Sequence, residues 1–128
     1  MPNISMIDAI GNAVRAHGPW RLKLQVAVET GHCEITPDIA RCDDCCEFGK
    51  WLYGQTISSS TKSGIPYQVV KRLHADFHTC AGKVLELAID KRSEEAHALL
   101  KGEFDERSHT LIVALNKWKR ELSMDEAA

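Results

Sequence analysis

The sequence lacks the features of membrane, exported and nucleic-acid-binding proteins. No window approaches the roughly 20 apolar residues that a membrane-spanning helix needs, and the best run extends only from Leu111 to Leu115. The first residues contain no basic segment followed by an apolar one, so no export signal is visible. Sixteen basic and eighteen acidic residues give a formal net charge of −2. The chain therefore lacks the excess of positive charge that is typical of nucleic-acid-binding proteins. We therefore expect a cytoplasmic protein that binds neither membranes nor nucleic acids.

Sequence signatures of enzymes are also missing. The chain has no glycine-rich phosphate loop, no nucleophile elbow and no constellation of paired carboxylates. A hemerythrin-like di-iron protein would need more histidines and carboxylates, spread over all of its helices. We therefore expect a protein that is not an enzyme.

The composition is that of one globular domain. The 128 residues are 44% hydrophobic and 27% charged, and a chain of this length buries enough surface to form a core without disulfides. No segment shows sustained alternation of apolar and polar residues, whereas apolar residues recur at helical spacing along most of the chain. The sequence predicts a single all-α domain over residues 1–128.

Glycine and proline divide this domain into predicted helices. Those helices cover about Ile4–Glu29, Asp43–Tyr53, Pro66–Ile89 and Ser93–Ser123, with loops at 31–41 and 55–64. Helices of these lengths with short connections and apolar stripes predict an antiparallel four-helix bundle.

Two positions interrupt the predicted helices. Pro19 should kink the first helix, along which Ile10, Val14, Leu22 and Val26 follow helical spacing. Gly102 should weaken the middle of the last helix. Leu111, Leu115, Trp118 and Leu122 form one stripe beyond it.

The cysteines and histidines favour metal binding. The cysteines are Cys33, Cys42, Cys45, Cys46 and Cys80, and six histidines accompany them. Cytosolic thiols stay reduced, so such clusters more often bind a metal or sense oxidants than form structural disulfides.

His74 and His78 are the first candidate ligands. Four residues apart on a helix, their rings project from one face at the edge of the apolar arc, where a metal ion would satisfy both. This spacing also arises by chance, and the pair alone is a weak signal.

Cys46 and His17 are the other candidates. Cys46 lies in the opening turn of the predicted second helix, where backbone N–H groups and the helix dipole favour a thiolate. Gly49, in the same helix, suggests that another helix approaches closely there. Taken alone, Cys46 also fits a small buried cysteine, and His17 fits a partly exposed histidine on an amphipathic helix.

Together these residues form an ordered pattern. His17-x-x-Trp20, Cys46-x-Phe48-Gly49-x-Trp51 and His74-x-x-x-His78 resemble the signature of the chemoreceptor zinc-binding (CZB) family over about Met6 to Leu122. The resemblance implies a four-helix bundle that binds one zinc ion between its first three helices, through His17, Cys46, His74 and His78. It also implies a regulatory module of bacterial signalling, in chemotaxis or cyclic-di-GMP pathways, that commonly dimerises. The sequence contains no coiled-coil signalling hairpin and no cyclase segment, so we expect its output to pass through a partner protein.

Two functional hypotheses follow from the resemblance. The first is a zinc-binding signalling module; the second is an oxidant switch, in which zinc is mainly structural and the Cys46 thiolate reacts with hypochlorous acid. Four N and S ligands close a tetrahedral zinc sphere and leave no position for an activated water, which argues against metal hydrolysis in either case.

The remaining cysteines leave several alternatives open. Cys42 or Cys45 could replace Cys46 as a ligand, or either could form a disulfide with Cys33 or Cys80 on oxidation, but idle reduced thiols are slightly favoured. A second metal site from His32, Cys33, Cys42 and Cys45 is supported by residue type alone.

Overall fold

The computed structural model describes residues 2–127, and every regular element in that range is helical. The elements are α1 (Pro2–His17), α2 (Trp20–Thr30), α3 (Pro37–Arg41), α4 (Glu47–Tyr53), α5 (Ser59–Lys62), α6 (Ile65–Ile89), α7 (Ser93–Leu99), a π-helical segment (Leu100–Phe104) and α8 (Asp105–Ala127). The all-α prediction is confirmed. Within this range, no helix combines the length and the apolarity that crossing a membrane requires.

Helix α6 is the central element of the fold. It packs against α2, α3 and α8. Pro66 lies in its first turn, and Val70, Phe77 and Val84 are almost completely buried along one side. This helix was predicted nearly to the residue, because its apolar stripe is continuous and a proline marks its start.

The predicted first helix is two helices. It breaks at Gly18 and Pro19, because proline has no N–H to donate to the preceding turn. Helix α2 consequently buries Leu24 and Val28, whereas Leu22 and Val26 are 67% and 47% exposed. The helical spacing expected from Ile10 through Leu22 and Val26 therefore does not carry across the break.

Helix α3 occupies part of the predicted loop 31–41. Thr36 caps it by accepting a hydrogen bond from the Ile39 N–H, and Pro37 starts its first turn. The helix lies directly on α6 at Gly82, where an added Cβ would stand 2.7 Å from the Arg41 Cβ. Glycine at this position therefore allows α3 to approach α6 closely.

Helix α4 begins four residues later than predicted. Residues 43–46 form a turn and a bend, and Cys46 has extended backbone angles at the N-cap (φ −87°, ψ 161°). The predicted start at Asp43 is wrong because the segment before Cys46 is closed into a turn by a disulfide between Cys42 and Cys45. The predicted connection 55–64 similarly contains the single-turn helix α5.

The last predicted helix is interrupted where glycine weakens it. The π-helical segment Leu100–Phe104 contains Gly102 and separates α7 from α8. Beyond it, Leu111, Leu115, Trp118 and Leu122 are buried as predicted, and α8 packs against α1 and α6. The antiparallel four-helix arrangement itself stays a prediction.

Candidate metal centre

The predicted ligands come from separate parts of the chain and meet inside the protein. His17 is the last residue of α1, Cys46 is the N-cap of α4, and His74 and His78 lie one turn apart on α6. His17, His74 and His78 are 2%, 0% and 1% exposed. One donor atom from each of these residues and from Cys46 lies within 4.8 Å of all the others.

The three imidazoles present the same nitrogen to one point. His74 Nε2 is 3.1 Å from both His17 Nε2 and His78 Nε2, and His17 Nε2 is 3.4 Å from His78 Nε2. Cys46 Sγ lies 3.4, 3.6 and 4.0 Å from the Nε2 atoms of His74, His78 and His17. The four atoms form a small tetrahedron.

The size of this tetrahedron fits zinc. Tetrahedral zinc with N at about 2.0–2.1 Å and S at about 2.3 Å separates its nitrogens by about 3.3 Å, and each nitrogen from the sulfur by about 3.6 Å. The nitrogen separations here are 3.1–3.4 Å and the nitrogen–sulfur separations are 3.4–4.0 Å. A zinc ion at the centre would thus meet all four donors with little movement.

Hydrogen bonds on the far side of two rings orient their lone pairs inward. His17 Nδ1 donates to the Ala13 carbonyl at 2.8 Å, and His78 Nδ1 donates to the Ala40 carbonyl at 2.9 Å. A neutral imidazole carries one proton, so both Nε2 atoms are bare acceptors that face each other. One metal ion would satisfy both acceptors at once, and this backbone support is typical of metal-binding histidines.

Burial keeps these histidines neutral, as a metal ligand must be. Burial lowers the pKa of His17 to about 4 and that of His74 to about 2. Burial also lowers the pKa of His78, against the opposing effect of the hydrogen bond to Ala40. Protons therefore do not compete with zinc for these nitrogens near neutral pH.

Cys46 behaves differently from what its sequence position suggested. As the N-cap residue, it accepts a hydrogen bond from the Gly49 N–H at 3.3 Å. Burial nevertheless raises the pKa of its thiol, because the loss of hydration outweighs the stabilising backbone hydrogen bonds. The backbone N–H groups favour a thiolate as expected, but burial outweighs them, and the positive charge of a bound ion is what would hold the sulfur deprotonated.

The turn before α4 positions Cys46. An added Cβ at Gly49 would stand 1.8 Å from the Asp43 carbonyl oxygen, so this turn lies directly on the helix. A hydrogen bond from the Tyr53 hydroxyl to the Asp43 carboxylate fastens the turn to α4 one helical turn further on. The predicted neighbour of Gly49 was another helix; the structure places the turn of residues 43 and 44 there instead.

Aromatic side chains surround the site and leave one groove beside it. Phe48 and Phe77 contact the His17 ring edge-on, with ring centroids 6.1 and 5.1 Å apart. A groove of about 470 Å³ runs between α1 and α4, and both His17 and Cys46 contribute to its lining. Cys46 is half-buried, so the site is reachable from this side.

Two of the other four cysteines depart from the favoured expectation of reduced thiols, and two agree with it. Cys42 and Cys45 are joined to each other by a disulfide, so the slightly favoured reading of idle thiols is wrong for this pair. Neither is paired with Cys33 or Cys80, which are free. Burial raises the pKa of Cys80 to about 11, which makes it an unreactive thiol.

Among the described residues, no group of converging donors joins His32 and Cys33 to Cys42 and Cys45, so the suggested second site of these four residues does not form.

Sequence reasoning missed the groups that orient the histidines. These groups are the carbonyl oxygens of Ala13 and Ala40. The Ala40 carbonyl belongs to α3, and the Thr36-Pro37-Asp38 sequence is a recognisable helix start that could have revealed it. For the Ala13 carbonyl, the only indication in the sequence is that Ala13 lies four residues before His17.

Comparison with known proteins gives one result. The model of a family described as the chemoreceptor zinc-binding domain matches residues 17–85. This match covers more than half of the chain and includes all four converging residues. Searches of curated proteins and of solved structures returned no match.

Proposed function

The chain belongs to the chemoreceptor zinc-binding domain family, and on this premise we propose that it is a regulatory module whose single zinc ion is bound by His17, Cys46, His74 and His78. The observation that carries the proposal is the spacing of their donor atoms, which matches the edges of a zinc tetrahedron. Zinc supplies a doubly charged centre that links three chain segments.

Other groups of this chain orient the ligands and close the site around the ion. The Ala13 and Ala40 carbonyls hold two imidazoles in the tautomer that binds a metal. Burial lowers the pKa values of the three histidines, so their imidazoles stay neutral and free to bind the ion. Four protein donors leave no position on the ion for an activated water. A closed site of this kind supports a binding and regulatory role rather than catalysis.

The same site explains how zinc could act as a signal. Without the ion, the imidazoles and the Cys46 thiol meet only through weak contacts of 3.1–4.0 Å at the junction of α1, α4 and α6. Zinc binding would replace these contacts with four bonds to one ion, so its gain or loss would shift how α1 and the N-terminus of α4 pack on α6. We propose that the helices form an antiparallel bundle and that this shift passes to a partner protein in a bacterial chemotaxis or cyclic-di-GMP pathway, with the module acting as a homodimer.

A second function is favoured by the groove beside the site. The groove gives small molecules a route to the half-buried Cys46 sulfur. Hypochlorous acid would add one oxygen atom to the thiolate, giving a sulfenic acid and chloride, and the sulfenic acid is a poor zinc ligand. In this alternative, the module senses oxidants and zinc is mainly structural.

Titrating the zinc-loaded protein with hypochlorous acid distinguishes the two functions. Zinc sensing predicts that Cys33 is oxidised first, while Cys46 stays reduced and zinc leaves only to a chelator. Zinc release and thiol modification are followed by a zinc dye and by mass spectrometry, and a Cys33→Ser variant controls for the other accessible thiol. Oxidation of Cys46 before any other thiol, together with zinc release, would favour the oxidant switch.

A further inference from the structure

A second group of metal-binding side chains lies in the turn just before Cys46. Its members are Cys42, Asp44 and Cys45, each of which offers a donor atom within 4.8 Å of the other two. We propose that this turn is a redox-controlled second site, which binds a thiophilic divalent cation such as zinc or cadmium when both cysteines are thiols.

The geometry already brings the donors together. The Cα atoms of Cys42 and Cys45 are 5.5 Å apart, and Asp44 Oδ1 lies 3.0 Å from Cys42 Sγ. Two cysteines separated by two residues are the usual spacing of a zinc-binding turn, since both sulfurs can reach one ion without a change in the backbone path. Two sulfurs and one carboxylate oxygen would supply three ligands, and water would complete the sphere.

The charge and exposure of the turn favour an exchangeable cation. Asp44 and Cys45 are exposed, and Cys42 is half-buried. Asp43 adds a neighbouring carboxylate, while the preceding cation, Arg41, is already paired with Asp38 and Glu86. Two thiolates beside these carboxylates would form an uncompensated cluster of negative charge, which a divalent ion neutralises.

The disulfide determines whether the site exists. A dithiol reductant supplies two electrons and two protons, which convert the Cys42–Cys45 disulfide into two thiols while the reductant becomes a disulfide. Metal binding then displaces the two thiol protons. In the reverse direction, hypochlorous acid takes two electrons from the two thiolates, leaving a disulfide, chloride and hydroxide, and the ion is released.

This site is separate from the buried centre. Cys46 follows Cys45 directly, but its sulfur belongs to the histidine group and not to the group of Cys42, Asp44 and Cys45. The turn is held in place by its contact with Gly49 and by the hydrogen bond from Tyr53 to Asp43. An ion in the turn therefore leaves the four donors of the buried centre where they are.

Cadmium titration of the oxidised and reduced protein tests the proposal. Thiolate-to-cadmium absorbance and metal analysis are expected to show one cadmium per chain in the disulfide form, and two after treatment with a phosphine reductant. The double variant Cys42→Ser/Cys45→Ser should bind one in both states. The Cys33→Ser variant is the matched control and should still gain the second ion on reduction.

The Cys46→Ala variant separates this proposal from the function of the buried site. It should lose the buried ion yet still take up one cadmium after reduction, with the helical circular dichroism of the wild type as the check on folding. One cadmium per chain in reduced wild type would overturn the second site. So would a second ion that persists in the double serine variant, or the absence of reduction-dependent uptake in Cys46→Ala.

Discussion

Replacing His78 by alanine is expected to weaken zinc binding by more than about 100-fold, because losing even a group that only supports a metal ligand costs about 10- to 100-fold. The ring is 1% exposed, and its Nε2 faces the other three donors. The remaining donors could fill three positions and would leave the fourth to water. Cys46→Ala should have an effect of similar size, since it removes the thiolate.

Competition with a chromophoric zinc chelator measures these losses. His109→Ala is the matched control, because His109 is exposed on α8 and belongs to no group of converging donors in the described part of the chain. It should bind zinc like the wild type. With the Cys42–Cys45 disulfide intact, retention of one zinc per chain at wild-type affinity in both His78→Ala and Cys46→Ala would contradict the assignment.

The metal-free protein is expected to lose stability as the pH falls from about 7 to about 5. Burial lowers the folded-state pKa of His17 to about 4 and of His74 to about 2, from an ordinary value of 6.5. A lowered pKa means that the unfolded chain takes up protons first, so the stabilisation is complete above 6.5 and is lost as the pH falls towards the folded-state value. At about 1.4 kcal/mol per pH unit, each of these histidines should reduce the free energy of unfolding by about 2 kcal/mol over this range.

Urea unfolding of the metal-free protein at the two pH values measures the effect. The zinc-loaded protein is the comparison: its imidazole nitrogens are occupied, so its stability should change little until the ion itself dissociates. A free energy of unfolding that is equal or higher at pH 5 in the metal-free protein would show that the histidines are not buried and neutral in the absence of zinc.

Local sequence signals predicted some elements well and others poorly. Helix α6 has a continuous apolar stripe and a proline at its start, so its extent could be predicted. Its two histidines lie four residues apart on the buried face, so it could also be predicted that both imidazole rings project from the same side of the helix. The sequence predicted a disruption at Pro19, but it did not predict that Leu22 and Val26 would be exposed beyond it. That consequence depends on the direction that α2 takes after the break, which is set by packing against α6.

The candidate centre was predictable in its side chains but not in its support. His17, Cys46, His74 and His78 could be identified because their types and order follow a family pattern, and the structure brings them together. The carbonyl oxygens of Ala13 and Ala40 could not be identified in this way, because every residue has a backbone carbonyl and its side-chain type does not mark it as an acceptor. The pairing of Cys42 with Cys45 was missed as well, since the reduced state was assumed from the compartment and not from the turn that holds the sulfurs together.

X-ray absorption spectroscopy of the zinc-loaded protein tests the central claim most directly. In the disulfide form of the protein, a zinc ion bound by His17, Cys46, His74 and His78 predicts three nitrogen neighbours at about 2.0–2.1 Å and one sulfur at about 2.3 Å. The Cys42→Ser/Cys45→Ser variant should give the same spectrum, because its serines replace only sulfurs outside the buried group. Two or more sulfur neighbours in that variant, or a shell of nitrogen and oxygen without sulfur, would contradict the account.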